Sequence, residues 1–191
     1  MDDVVVHGFP SDKPLEEGQI LSIDCGAIYK GWHGDAARTI AIGRVSPEKQ
    51  KLIDVTKECF FQAINGLKEG SRLGDIGYRV QNHAEKHGYG VVRELVGHGI
   101  GRYLHEDPNV PNYGTLGTGM KLKSGNTIAI EPMINMGSAD VKLNGWDHRT
   151  RDGLPSAHYE NTVLITETGC EILTEVSREG REILTRKLEA E

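Results

Sequence analysis

Two acidic residues stand where a folding chain can least accommodate them. Asp24 lies inside the run ILSIDCGAI and Glu131 inside IAIEPMI, each with apolar neighbours on both sides. Runs of this kind read as buried strands. An unpaired carboxylate buried in one costs on the order of several kcal/mol. A fold that keeps such residues has to bring them a counter-charge. Three more residues stand where a plain core strand would not place an acid or a histidine: Asp35 in WHGDAART, His98 between glycines in GHGIGRYLHE, and Glu160 in HYENTVLI. Taken singly, each has an ordinary reading as a turn aspartate, a solvated edge glutamate or a loop histidine. Taken together they suggest one site. Four carboxylates carry four negative charges, which two divalent cations neutralise. Oxygen-rich ligation with a single imidazole suits Mn, Fe, Co or Zn. Two such ions can activate a shared water for attack on a carbonyl, so the chemistry implied is hydrolysis.

Local signals say how these segments fold. The polar turn SDKPLEEG leads into a strand at 19–29, and a turn near Lys30-Gly31 leads into a second at 33–42, so the two form a hairpin. Ser46-Pro47-Glu48 starts a helix with a hydroxyl cap, a first-turn proline and an acid at the positive dipole end. Apolar residues from Leu52 to Leu67 then recur at helical spacing, with Gly70 just beyond. A second helix is expected from about Leu73 to His87, closed by Gly88. Strands are expected at 91–96, 126–135, 159–166 and 171–173, with His98 in a glycine-flanked loop. The 24 glycines among 191 residues favour turns and hairpins over a helical bundle. The fold class is therefore α+β, with two helices inserted among antiparallel strands.

Composition narrows the function. A net charge of −6 with no clustered basic face argues against nucleic acid as a partner. Three separated cysteines, Cys25, Cys59 and Cys170, fit a reduced compartment better than a disulfide framework. No apolar run is long enough to span a bilayer and no leader opens the chain, so no membrane partner and a cytoplasmic address are expected. His83 and His87 have ligand-competent spacing on the second helix, but among Asn82, Glu85 and Lys86 they read as a solvated face. Cys59 reads as packing.

The segments VVVHGFP, SIDCGAIYKGWHGDAART, VVRELVGHGIGRYLHEDPNVPNYG, TIAIEPMI, DGLPSAHYENTVLIT and TGCEILT resemble type I methionine aminopeptidase in order, spacing and flanking residues. The resemblance implies the pita-bread fold, a curved antiparallel sheet with flanking helices. It implies two divalent metal ions (Co, Mn, Fe or Zn) on Asp24, Asp35, His98, Glu131 and Glu160, with Asp35 and Glu160 bridging. Glu131 would also shuttle a proton, His105 and His7 would be catalytic and substrate-binding, and Trp146 would line the substrate pocket. His33, His148 and His158 match no catalytic position. The implied activity is removal of N-terminal methionine from peptides and nascent proteins, with the ribosome as a further partner. The pattern starts in mid-motif, so an incomplete first half is expected, with a catalytic domain at 1–174 and a charged helical tail at 175–191. Two alternatives stand beside this reading. One is a prolidase-like peptidase of the same fold. The other is an impaired, truncated domain serving as a metal-binding or protein-interaction module.

Overall fold

The two longest strands form the hairpin expected from the sequence. In the computed structural model, which describes residues 1–175, a short strand β1 (Val4–Val6) is followed by β2 (Ile20–Tyr29) and β3 (Trp32–Ala41). Lys30 and Gly31 both take positive φ, at 51° and 77°. A two-residue turn of that hand matches the right-handed twist of the strands it joins. The resulting antiparallel register runs from Ile20 opposite Ala41 to Tyr29 opposite Trp32.

Helix α1 (Pro47–Ile64) begins where the capping signal predicts, and the Ser46 hydroxyl accepts a hydrogen bond from the Lys49 amide at 3.3 Å. It stops earlier than its apolar spacing suggests. Gly66 takes positive φ, turning the chain before Leu67, which is nevertheless fully buried. Helix α2 (Leu73–Lys86) ends at His87 with Gly88 in the left-handed region, as expected. The helices pack on each other and on the sheets through Leu52, Cys59, Phe60, Ile76 and Val80, with Ile128, Ile134 and Val163 facing them. Burial of each large side chain in this core contributes roughly 1.5–3 kcal/mol.

The remaining strands are short: β4 (Gly90–Val91), β5 (Gly97–Gly99), β6 (Glu106–Val110), β7 (Thr127–Ile130), β8 (Met133–Asn135), β9 (Val141–Asn144), β10 (Asp147–Thr150), β11 (Ser156–His158), β12 (Asn161–Ile165) and β13 (Cys170–Ile172). They form sheets of order β13-β12-β7-β5-β6, β11-β8-β4 and β1-β10-β9, beside the β2–β3 hairpin. Every pairing is antiparallel. Two expected strands are corrected. The strand at 91–96 shrinks to Gly90–Val91, and 126–135 divides at Glu131-Pro132 into strands of different sheets. Proline has no amide to give a ladder, so the break falls where the second sheet starts. The tail expected at 175–191 lies, beyond Glu175, outside the described residues. No described helix is long and apolar enough to cross a membrane.

Candidate metal centre

The hairpin register settles the first two acids. Asp24 pairs with Ala37 and Asp35 with Gly26, so both carboxylates leave the same face of the hairpin. Backbone and hydroxyl bonds then join β3 to β12. The Glu160 amide donates to the Ala37 carbonyl at 2.9 Å. The Thr162 hydroxyl accepts from the Asp35 amide at 2.9 Å and donates to the Asp35 carbonyl at 3.1 Å. Arg38 adds bonds to the Glu160 carbonyl and to Asn161 Oδ1. Asp35 is thereby held beside Glu160.

Glu131 and Glu160 occupy matching joints. Glu131 lies between β7 and β8, and Glu160 follows β11 and precedes β12. In each case the chain is passing between the five-stranded and the three-stranded sheet. The Tyr159 amide donates to the Pro132 carbonyl at 3.2 Å, which sets the two joints against each other. Acids that interrupt a strand pattern are here at the seam between sheets, where side chains can turn into a cleft.

His98 is not in a loop but on β5, a correction with a clear steric cause. A Cβ at Gly97 would come within 2.3 Å of the Ala129 carbonyl oxygen, and one at Gly99 within 2.2 Å of the Asp107 oxygen. The flanking glycines therefore serve close strand packing rather than a turn. His98 Nδ1 lies 2.9 Å from the Gly99 carbonyl and donates to it. That bond leaves Nε2 as the free lone pair, 3.6 Å from Glu131 Oε1 and 4.0 Å from Asp35 Oδ2.

These side chains share a cleft of about 650 Å³ with His7 and His105. One ligand atom each from Asp35, His98 and Glu160 falls within 4.8 Å of the others. Glu160 is 2% exposed, and its Oε1 has no hydrogen-bond partner. Burial, followed by the charges of Glu131, Asp35 and Asp24, pushes its carboxyl up to about 10, against an opposing pull from Arg38. Asp24 is exposed, not buried as its apolar run suggests, because the outer half of β2 is uncovered. Its carboxyl is also raised, chiefly by desolvation, with His158 opposing the shift and Asp35 and Glu131 adding to it. A donor set of crowded carboxylates around one imidazole lone pair, with a buried oxygen left unpaired, fits a hard or borderline divalent cation.

The histidines divide clearly. His105 stacks edge-on against His98, with ring centroids 4.3 Å apart. His7 lies on the cleft wall in a positive-φ conformation (63°) and is held below its usual pKa by burial first and by His148 second. Trp146 does not line the cleft: it is 66% exposed, with its ring centroid 6.3 Å from that of His7. His33 bonds towards the Gly101 carbonyl instead. The residue missed by sequence reasoning is His158, 1% exposed, with Nε2 lying 3.6 Å from Glu131 Oε2 and otherwise unpartnered. Its position two residues before Glu160, on a fully buried strand, was the available signal.

The chain is similar to known proteins over most of its length. The model of metallopeptidase family M24 matches residues 2–167. A methionine aminopeptidase of Clostridium acetobutylicum is 54% identical over 177 residues, covering 91% of this chain and 71% of the relative. The crystal structure of a methionine aminopeptidase from Thermotoga maritima superposes with a TM-score of 0.89 at 48% identity, over 91% of this chain and 71% of that one. A prolidase from Pyrococcus furiosus is more distant, with a TM-score of 0.73 at 30% identity, over 90% of this chain and 46% of its own. The fold is thus the pita-bread fold, and the chain belongs to metallopeptidase family M24, on its methionine aminopeptidase branch.

Proposed function

We propose that residues 1–174 form one catalytic unit that removes the N-terminal methionine from peptides and nascent proteins. The observation that carries this reading is the convergence of Asp35, His98 and Glu160, with Glu131 beside them and Asp24 across the hairpin, on a single cleft. The expected cofactor is a pair of divalent ions drawn from Mn, Fe, Co and Zn. Asp35 and Glu160 would hold both ions, Asp24 one of them, and His98 with Glu131 the other. When bound, such a pair supplies activated water and polarises a carbonyl.

The chain's own groups do the rest. His105, beside His98, donates a hydrogen bond to the oxygen that gains charge as the first peptide bond is attacked. His7 binds the peptide beyond the scissile bond, and its depressed pKa keeps the ring neutral near pH 7, so that it can donate without adding charge. Glu131 takes a proton from water and returns it to the leaving amine, with His158 steadying its second oxygen. Trp146 supports His7 from outside the cleft. A cytoplasmic address fits this activity, because nascent N-termini arise there.

A peptide panel tests substrate choice. Met-Ala-Ser, Leu-Ala-Ser, Ala-Pro and Met-Pro are incubated with the metal-loaded chain and free amino acids are quantified. Preferential release of methionine from Met-Ala-Ser is expected. Preferential cleavage of Ala-Pro would instead support the prolidase-like alternative.

A further inference from the structure

The helix hairpin carries a second group of donors that the cleft does not use. His83 lies in the last turn of α2 and His87 caps its C-terminus four residues on, which brings the two imidazoles together, with ring centroids 4.8 Å apart. Glu58 on α1 faces them, and one ligand atom from each of the three residues falls within 4.8 Å of the other two.

Hydrogen bonds fix which atoms are free. His87 Nδ1 lies 3.0 Å from the His83 carbonyl and donates to it. Nε2 of His87 therefore keeps its lone pair, the arrangement in which metal-binding imidazoles are commonly held. His83 Nε2 donates to Glu58 Oε2 at 2.9 Å, so imidazole and carboxylate already converge, and a cation bound between them would displace the shared proton. A surface ion pair needs only two partners and contributes little; it does not account for the third donor. The backbone beneath is well anchored. Cys59 follows Glu58 and Ala84 follows His83, and both are completely buried. The Cys59 thiol also reaches the Val80 carbonyl at 3.7 Å across the helix interface. Donors on two packed helices hold their places without the ordering of a loop.

We propose that Glu58, His83 and His87 form a second divalent-metal site, separate from the cleft, which clamps α1 to α2. Two imidazoles and a carboxylate, with a further position open to water, suit Zn, Ni or Cu rather than Mg or Ca. An ion that binds the packed helices and not the unfolded chain stabilises the fold by mass action. The site stands on its own residues, whatever the cleft hydrolyses.

Zinc binding to the full chain tests it, by equilibrium dialysis and thermal melting. The comparison is with the double variant His83→Gln/His87→Gln and with Glu58→Gln, using peptide hydrolysis as a control for an intact cleft. Wild-type protein should hold one more zinc ion per chain than the double variant and gain a larger rise in melting temperature. Glu58→Gln should weaken the extra ion at least roughly tenfold. With Cu²⁺, a two-nitrogen EPR signature should be present in the wild type and lost from the double variant. Equal zinc stoichiometry and equal melting shifts would overturn the proposal, leaving the cluster as a His83–Glu58 hydrogen bond between helices. If the double variant fails to fold, wild-type zinc affinity in Glu58→Gln would overturn it equally.

Discussion

The cleft and the helix hairpin each bring three metal-competent donors within 4.8 Å, yet the two groups differ in what the fold spends to keep them. Asp35, His98 and Glu160 are 8%, 7% and 2% exposed, and Glu160 retains an unpartnered buried oxygen. Glu58 is exposed, and its hydrogen bond to His83 satisfies both groups without help. Burying several carboxylates together is costly unless a counter-charge is present. The cleft therefore implies an ion on which the local structure depends. The hairpin group costs the fold little, and an ion there adds stability without being required. Similar spacing thus corresponds to a constitutive centre in one place and an optional one in the other, and burial makes the difference.

Substitutions that neutralise one region should leave the other untouched. Glu131→Gln removes the proposed proton carrier while keeping its shape, and should lower kcat at least roughly 100-fold with little change in circular dichroism. His83→Gln/His87→Gln should leave kcat unchanged. Full activity in Glu131→Gln would erase the distinction between the regions.

The charge crowding has its own signature in chelator-stripped protein. Glu160 ionises at about 10 in the fold, against an ordinary value of 4.5. A raised pKa favours the protonated folded form, so its contribution to stability is present below the ordinary value and lost as pH rises through the folded one. Stripped protein should therefore melt at a higher temperature at pH 5 than at pH 8. Mn²⁺ should flatten that dependence, and calorimetry at the two pH values checks both points.

Thr162→Val tests the bond that fastens the hairpin to β12. It strands the buried Asp35 amide, and urea denaturation should register a loss of about 1–3 kcal/mol. A smaller contrast lies in the thiols. Burial pushes the Cys59 thiol up to about 12, whereas Cys25 is exposed. The thiolate is the reactive form, so alkylation at pH 8 followed by peptide mapping should find Cys25 modified first and Cys59 only after unfolding.

What could be read from the sequence was what local chemistry dictates. Ser46-Pro47 and Gly88 marked helix ends because caps and left-handed glycines act within a few residues. The β2–β3 hairpin followed from one turn between two apolar runs. The five donors stood out because acids in strand-like runs have no ordinary explanation as a set. Less legible were features decided by distant partners. His98 looked like a loop residue because its glycines answer to Ala129 and Asp107, which only the fold brings near. The division at Glu131-Pro132 depends on which sheet each half joins. His158 earns its position from Glu131, and the His83–His87 pair acquires its third donor from α1, 25 residues away in sequence. Helical spacing reveals two members of such a cluster and never the third.

The most direct test is single-turnover hydrolysis of Met-Ala-Ser by metal-stripped protein, with and without added Mn²⁺ or Co²⁺. Release of free methionine only when metal is present, and abolished again by chelator, is the expected result. Equal release with and without metal, or none although two ions are bound per chain, would contradict the assignment of this cleft as a methionine-removing metal centre.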